Sequence, residues 1–429
     1  MKEYSVHLER RRRLLEKSEG VVILPTSGHP VRNRDSHYPY RFDSYFYYLT
    51  GFQEPDSVLV MASGKSILFC REKDPDREIW DGYRFGPEKA KEVFLFDETH
   101  PISEFEDLLP KYLADQPAVH YPLGADEKWD GRVLSALNAV RNLVRSGISS
   151  PSEIRDIRPE IDEMRLIKDD HEIRIMRCAA SIASSAHRIA MKSARPGMME
   201  YGVEAELLGE FRRNGAQAPS YTPIVAGGGN ACILHYVDNN AVLKSGDLLL
   251  IDAGCELDGY ASDITRTFPV NGKFTPEQKE IYELVLKAQA AALSEVKPGA
   301  SWQSPHDAAV RILAQGFVDL GLCKGSVDDV IESGDYRRFY MHRTGHWLGL
   351  DVHDAGSYKT GGNWRMLEPG MVLTVEPGCY VRPAEGVPEC FWNIGIRIED
   401  DVHVTTNGHE ILSLEAPKTV SEIEEWMAS

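Results

Sequence analysis

The spacing of apolar positions changes near residue 160 of the chain. Before that point, short apolar runs separated by polar turns predict strands at Gly20–Pro25, Ser57–Met61 and Ser66–Cys70. A helix is predicted over Leu8–Lys17 and another over Gly131–Ala139. Mixed alternation of this kind is typical of an α/β domain, which we assign to residues 1–162.

Four further patterns in this first part lead to definite expectations. The aromatic run Tyr45–Thr50 predicts a strand, Ala118–Tyr121 predicts another, and Glu78–Tyr83 predicts a loop. The basic cluster Arg10–Arg13 is flanked by glutamates and leucines, which indicates a solvated helix face rather than a nucleic-acid patch.

Beyond residue 162 the apolar spacing becomes helical. Asp169 with Glu172 three residues later has the pattern of a capping box, so a long helix is predicted from there to just before Pro196. The later predicted elements are a helix at Glu200–Arg213, strands at Ser220–Ala226 and Ile233–Tyr236, helices starting at Thr275 and Ser304, and a strand region at Phe339–His342. The order is helix pair, strands, helix pair, strands, which predicts an internal duplication over residues 163–429, with about 120–130 residues per half and a pseudo-twofold axis.

Two stretches of this second part look like copies of each other. Gly246–Cys255 and Gly370–Cys379 each read as a glycine turn, a buried apolar run, an acid, one residue and then Gly-Cys. The acids are Asp252 in the first copy and Glu376 in the second, and each is followed along the chain by another acid, Asp263 or Glu399. A carboxylate at the end of an apolar strand is costly to bury unless a positive group meets it. Four of them, from two related halves, predict a shared cation.

The spacing within the first copy places its two acids together. Asp258-Gly259 is a hairpin turn signal, so Asp252 should lie opposite Thr265. Asp263 then becomes the diagonal neighbour of Asp252 on the same face. Thr265 is expected beside them, where it can hold a carboxylate.

Histidines and an arginine accompany the acids. His342, His346 and His353 fall within twelve positions, His235 follows a glycine-rich loop, and Arg397 shares the face of Glu399. Carboxylate oxygens with imidazole form a hard donor set that suits Mn²⁺, Fe²⁺, Co²⁺ or Zn²⁺. Two such ions about 3.5–4 Å apart would share a water and lower its pKa enough to give a hydroxide nucleophile.

Composition narrows the functional classes. The formal net charge of −18 disfavours binding to nucleic acid. The seven cysteines contain no CxxC pair, which favours reduced thiols, and no apolar segment resembles a signal peptide or spans a bilayer. We therefore expect a cytoplasmic protein without a membrane partner. The motifs of serine hydrolases (GxSxG), zincins (HExxH), phosphate loops and dinucleotide folds (GxGxxG) are absent from the sequence.

At these residues the sequence resembles bacterial aminopeptidase P, the Xaa-Pro aminopeptidases of the pita-bread metallopeptidases. The stretches that carry the resemblance are Ile251–Gly254, Ser262–Thr267, His346–His353, Val375–Gly378, Gly395–Asp400, Tyr38–Arg41 and Tyr48–Phe52. The resemblance implies an α/β (α+β) fold: a creatinase-like N-terminal domain at 1–162, for substrate access and oligomerisation, and a pita-bread catalytic domain at 163–429.

The resemblance also implies a site and a reaction. The implied cofactor is a pair of divalent ions, Mn²⁺ first and Zn²⁺, Co²⁺ or Fe²⁺ as alternatives, and the implied ligands are Asp252, Asp263, His346, Glu376 and Glu399. Glu376 would also take a proton from the attacking water, His353 would stabilise the oxyanion, and His235 would sit near the scissile nitrogen. The implied proline side is formed by His342, Tyr380 and Arg397. Peptides with proline in second position are the implied substrates.

Family members are often homo-oligomers, so a tetramer or dimer is expected. In it, Trp80 and Asp35 would reach the site of a neighbouring chain. The loop Ser357–Arg365 departs from the family pattern by keeping a single arginine, which bears on oligomer contacts and on long peptides.

Three alternatives share this fold. Prolidase uses the same five ligands on Xaa-Pro dipeptides. Non-catalytic pita-bread proteins bind peptides or partners after losing ligands, and creatinase-like enzymes lack the same ligand set. The intact set of five disfavours the last two.

Overall fold

The computed structural model describes residues 4–429, which form two compact units that divide after Asp162. The first unit is built on one six-stranded sheet. Its helices are α1 Ser5–Leu15, α2 Ser44–Thr50, α3 Pro75–Asp81, α4 Gly86–Phe94, α5 Phe105–Leu113 and α6 Glu127–Arg141, and α7 Arg158–Leu166 spans the boundary. Its strands are β1 Val21–Pro25, β2 Val31–Asn33, β3 Ser36–His37, β4 Val58–Ala62, β5 Lys65–Cys70, β6 Glu98–Pro101, β7 Ala118–His120 and β8 Glu153–Arg155.

The sheet of the first unit is mixed, with strand order β6-β5-β4-β1-β7-β8. Strand β4 pairs antiparallel with both β1 and β5. The pairs β5–β6, β1–β7 and β7–β8 are parallel. The central strands are apolar along their whole length because both of their faces are covered. The predicted α/β class is confirmed for this unit.

Two predictions for the first unit are wrong. Tyr45–Thr50 is not a strand but part of α2, because the side chain of Asp43 caps the helix by accepting the N–H of Phe46 at 2.9 Å. Most of the predicted loop at Glu78–Tyr83 lies in α3, where Asp74 is the N-cap and Pro75 holds the first turn. In both cases a local cap decides the conformation.

The basic cluster of α1 is only half solvated. Arg12 and Arg13 are exposed, as predicted, but Arg10 and Arg11 are buried. The guanidinium of Arg11 donates to the carbonyl oxygens of Leu49 at 2.8 Å and of Leu95 at 2.8 Å. Arg11 therefore satisfies the free carbonyls at the ends of α2 and α4.

The second unit, from Glu163 onward, contains long helices and several small sheets. Its helices are α8 Asp170–Ser193, α9 Glu200–Arg213, α10 Pro276–Ser294, α11 Ser304–Asp319, α12 Val327–Ser333 and α13 Val420–Ala428. Its strands are β9 Ala218–Pro219, β10 Ile224–Gly227, β11 Leu248–Asp252, β12 Cys255–Leu257, β13 Tyr260–Ala261, β14 Thr265–Pro269, β15 Lys359–Thr360, β16 Asn363–Trp364, β17 Val372–Val375, β18 Gly378–Val381, β19 Ile394–Arg397, β20 Asp400–Thr405 and β21 Gly408–Ile411. Within residues 4–429, no helix is long and apolar enough to cross a membrane.

The predicted order of a duplicated domain is confirmed. The helix pair α8 and α9 precedes the sheet β10-β11-β14, and the pair α10 and α11 precedes the sheet β17-β20-β21. The capping box predicted at Asp169 is present, and Thr275, where a helix start is predicted, forms a second capping box with Gln278. One apolar core joins these helices to both sheets, and it includes Cys255 and Cys379. Two predicted strands are wrong, because Ile233–Tyr236 and Phe339–His342 lie in irregular segments of turns and bends.

The loop that carries His346 and His353 is anchored by a buried ion cluster. Asp354 is 7% exposed, and its two carboxylate oxygens accept from Arg165 at 2.6 Å and from Lys168 at 2.9 Å. Burial opposes ionisation of Asp354, but the two cations lower its pKa.

Replacing Asp354 with asparagine should destabilise the second unit by about 3–5 kcal/mol, because the buried Lys168 would lose its carboxylate partner and Arg165 would keep only the partly exposed Asp351. Urea and thermal unfolding of the full chain measure this. Since the folded-state pKa is lowered, the stabilisation is present above pH of about 4 and should be lost as the pH falls below it. The control is Asp328→Asn, which breaks an exposed pair with Arg311 and should cost less than about 1 kcal/mol. Equal losses in the two variants would contradict this account.

Candidate metal centre

The first pair of acids lies at the ends of β11 and β14. Asp252 is the last residue of β11 and pairs with Thr265, as the hairpin signal predicts, and Leu257 pairs with Tyr260 across the turn. Asp263 lies between β13 and β14, in a short irregular segment rather than in a strand. Its side chain nevertheless points into the same space as that of Asp252, since the hydroxyl of one tyrosine reaches both carboxylates.

That tyrosine is Tyr221, which the sequence analysis missed. Its hydroxyl lies 2.5 Å from Oδ1 of Asp252 and also contacts Oδ1 of Asp263. One O–H donates to one oxygen at a time, so the tyrosine holds the Oδ1 atoms of the two acids together, while their Oδ2 atoms face Arg397 and His346. Tyr221 belongs to the predicted strand Ser220–Ala226, but nothing in the local pattern marks it as different from a core aromatic.

The second pair of acids follows β17 and β19. Glu376 comes directly after β17, and Glu399 lies between β19 and β20. The hydroxyl of Thr265 donates to Oε2 of Glu399 at 2.6 Å. The predicted role of Thr265 as a carboxylate holder is therefore confirmed, but the carboxylate it holds belongs to the other half of the duplication.

The glycine that follows each acid is required by close packing. A Cβ atom on Gly254 would lie 1.7 Å from the carbonyl oxygen of Ser262, and one on Gly378 would lie 2.9 Å from the carbonyl oxygen of Ile396 in the neighbouring strand. The repeated Gly-Cys after the acid therefore lets the neighbouring strand approach closely enough to bring its acid into the same space.

His346 is oriented towards the acids by its backbone. Its Nδ1 atom lies 2.9 Å from the carbonyl oxygen of Trp347, so Nδ1 donates and Nε2 faces the carboxylates. Nε2 lies 3.4 Å from Oδ2 of Asp263 and 3.6 Å from Oε1 of Glu376. The ligand atoms of Asp263, His346 and Glu399 all lie within 4.8 Å of one another. Residues from both halves thus meet at one point.

Arg397 partly balances this negative charge. Its guanidinium lies 2.5 Å from Oδ2 of Asp252 and donates to the hydroxyls of Tyr380 at 3.0 Å and of Thr265 at 3.1 Å. The Tyr380 hydroxyl also lies 2.9 Å from Nε2 of His342. These contacts form one continuous wall beside the acids.

One cation does not neutralise four acids, and the pKa values reflect this. Burial raises the pKa of Glu376 to about 7 and that of Glu399 well above its usual range, and the neighbouring carboxylates act in the same direction. Burial opposes the protonation of His346, but its hydrogen bond to Asp263 and the charge of Glu376 raise its pKa to about 9. The field at the site therefore attracts positive charge strongly.

These observations fit a bound divalent cation. The donors are carboxylate oxygens and Nε2 of His346, which would give up its proton to a bound metal, and this set suits Mn²⁺, Fe²⁺, Co²⁺ or Zn²⁺. The other ring nitrogen of His346, Nδ1, bonds to the carbonyl oxygen of Trp347. The carboxylate of Glu399 accepts a hydrogen bond from the hydroxyl of Thr265. Such outer contacts are typical of metal ligands.

The acids lie in a cavity of about 750 Å³, which contains nearly all the candidate residues of the second unit. The predicted site residues that line it are His235, Asp252, Asp263, His342, His346, His353, Glu376, Arg397 and Glu399. Tyr380 is buried behind them and contacts Arg397. Asp35 and Trp80 are exposed residues of the first unit, and their predicted roles stay predictions.

Comparison with known proteins gives matches over the whole chain. Residues 174–406 match metallopeptidase family M24, and residues 7–121 match the N-terminal domain of aminopeptidase P. The Xaa-Pro aminopeptidase of Haemophilus influenzae is 48% identical over 98% of this chain and 96% of its own length. The Xaa-Pro aminopeptidase of Escherichia coli is 45% identical over 98% of this chain and 97% of its own length.

Solved structures agree with these matches. The aminopeptidase of Pseudomonas aeruginosa superimposes with a TM-score of 0.98 at 49% identity, covering 99% of this chain and 98% of its own. Zinc-substituted Escherichia coli aminopeptidase P with bound product gives a TM-score of 0.97 at 44% identity, with the same coverage. The predicted combination of a creatinase-like N-terminal domain with a pita-bread domain is confirmed, and the chain belongs to the aminopeptidase P group of metallopeptidase family M24.

Proposed function

We propose that the chain is a metal-dependent aminopeptidase that releases the N-terminal residue of peptides with proline in second position. The observation that carries this proposal is the meeting of four carboxylates and His346 in one cavity, in a member of the aminopeptidase P group. Prolidase activity on dipeptides is the alternative within the fold. A purely binding role is disfavoured because all five donor residues are retained.

The proposed cofactor is a pair of divalent ions, with Mn²⁺ as the first candidate. The residues proposed to hold them are Asp252, Asp263, His346, Glu376 and Glu399. When bound, the ions would supply Lewis-acid activation of a water and of the scissile carbonyl. Tyr221 and Thr265 would fix the directions in which the carboxylates point.

Glu376 is proposed to move the proton. The hydroxyl of Thr374 lies 3.3 Å from its Oε1 and holds the carboxylate in place. The carboxylate of Glu376 would accept a proton from the attacking water and deliver it to the proline nitrogen as the peptide bond breaks.

Two histidines at the cavity surface are proposed to handle the substrate. The ring of His353 packs edge-on against that of His346 with centroids 4.4 Å apart, and its exposed edge would donate to the oxyanion that develops on the carbonyl. His235 is also exposed and lines the cavity, where it would lie near the scissile nitrogen.

Selectivity for proline has a physical basis. The Xaa-Pro bond is a tertiary amide without an N–H, so peptidases that need that donor cannot use it. The proposed proline side is the wall of His342, Tyr380 and Arg397, whose polar groups are largely satisfied among themselves. The ring can therefore pack there without leaving a buried donor unpaired.

A homo-oligomer, tetramer or dimer, is proposed as the working form. Its support is the exposed apolar surface of α3 and the following turn, where Trp80 is 84% exposed and Tyr83 is 93% exposed. Trp80, with Asp35, is proposed to reach the site of a neighbouring copy. The proposed location is the cytoplasm, on the grounds of cysteine usage.

The distinction between aminopeptidase and prolidase can be tested with two substrates and Mn²⁺. Arg-Pro-Pro should be cleaved to arginine and Pro-Pro, because the proposed aminopeptidase, unlike a prolidase, takes peptides that continue beyond the proline. Product analysis of Arg-Pro-Pro beside an Xaa-Pro dipeptide measures this, with Arg-Ala-Ala as the control that should resist cleavage. Hydrolysis of the dipeptide alone would transfer the assignment to prolidase.

Replacing Tyr221 with phenylalanine should weaken binding of Mn²⁺ by about 10–100-fold, because the hydroxyl that holds both aspartates would be lost. Calorimetric titration of the metal-free protein reads this out independently of activity. The matched control is Tyr121→Phe in the first unit, which removes a tyrosine hydroxyl that donates to Asp130 at 2.8 Å. An affinity that stays the same in both variants would rule out the holding role of Tyr221.

A further inference from the structure

An arginine at the edge of the cavity contacts neither the four acids nor His346. Arg343 lines the same cavity as Glu376 and His342, and its side chain is exposed. It follows His342 directly in the sequence, next to the wall proposed to receive the proline ring. With the proline ring on that wall, as proposed above, Arg343 is the cation of the cavity next to the position of the third residue of a peptide.

The guanidinium of Arg343 is held in a fixed orientation. Its Nη2 atom donates to Oε1 of Gln303 at 2.6 Å, and the amide of Gln303 is itself fixed because its Nε2 donates to Asp307 at 2.7 Å. The Cζ atom of Arg343 lies over the ring of Trp364, 4.9 Å from its centroid. A guanidinium held in this way loses little conformational freedom on binding a ligand.

The positive charge of Arg343 is not balanced by the protein. Over residues 4–429, no carboxylate lies within 4.0 Å of it, whereas the neighbouring Arg338 and Arg365 each have such a partner. A second cation, Lys359, lies on the same indole with its Nζ 4.4 Å from the ring centroid. The rim around Trp364 therefore carries two cations, in contrast to the acidic floor.

We infer that Arg343, supported by Trp364, is a specificity-determining residue that binds a carboxylate of the substrate beyond the proline. The carboxylate is either the side chain of an acidic third residue or the C-terminal carboxylate of a tripeptide. A guanidinium can take both oxygens of a carboxylate in two parallel hydrogen bonds. This inference rests on the proposed function, because it presumes that a peptide occupies the cavity.

Two matched pairs of substrates test it with Mn²⁺-loaded enzyme. Arg-Pro-Glu-Ala-amide against Arg-Pro-Gln-Ala-amide tests the side chain, and Arg-Pro-Ala against Arg-Pro-Ala-amide tests the terminus. In at least one pair, the carboxylate member should have a kcat/KM about tenfold higher, through a lower KM, and the pair that shows the preference identifies the source. In Arg343→Gln the two members of the pair should have about equal kcat/KM values, and Arg343→Lys should retain part of the preference.

The control is Arg337→Gln, which removes another exposed arginine that lies over an aromatic ring, that of Tyr336, outside this cavity. It should keep the full preference. Circular dichroism and thermal unfolding report whether each variant is folded. A wild type without preference in either pair, or a preference that survives in folded Arg343→Gln, would overturn the inference. Failure of the wild type to cleave any of the four peptides would instead refute the proposed function.

Discussion

Four carboxylates in one small, partly buried space are the constraint on which the second unit depends. Each repels the others and loses hydration, so each needs a compensating contact. Asp252 pairs with the guanidinium of Arg397. Asp263 contacts the hydroxyl of Tyr221 and the imidazole of His346. Glu399 accepts a hydrogen bond from Thr265. Positive charge is still in deficit, as the raised pKa values of Glu376 and Glu399 show. A divalent cation is the group that balances such a site with the fewest atoms.

This constraint explains why the two halves of the duplication are tied together where they are. Thr265 of the first half holds Glu399 of the second, and the backbone N–H of Asp263 donates to the buried carboxylate of Asp401 at 3.1 Å. The halves are not equivalent, since the first supplies aspartates, the second supplies glutamates, and only the loop before the second copy supplies His346. The duplication therefore provides one scaffold with divided roles, and Asp354 anchors the loop that makes the halves differ.

The sequence predicted those parts of the structure that follow from strict local geometry. The pairing of Asp252 with Thr265 follows from the two-residue period of strands and an Asp-Gly turn, and both are properties of neighbouring residues. Predictions failed where a single contact outweighs the pattern. Tyr45–Thr50 has strand-like aromatic residues but is helical because Asp43 caps it, and Arg11 is buried because distant carbonyls need a donor. Tyr221 could not be found, because its contact with two acids depends on residues 31 and 42 positions away.

Acids from both halves should form one shared site that binds the divalent cations. Anomalous diffraction at the manganese edge, from crystals grown with Mn²⁺, tests it most directly. The account predicts two anomalous peaks in the cavity, with ligands drawn from both the Asp252–Asp263 pair and the Glu376–Glu399 pair, and with Nε2 of His346 on one of them. Peaks contacted by the acids of one half alone, or a cavity without an anomalous peak at saturating Mn²⁺, would contradict it.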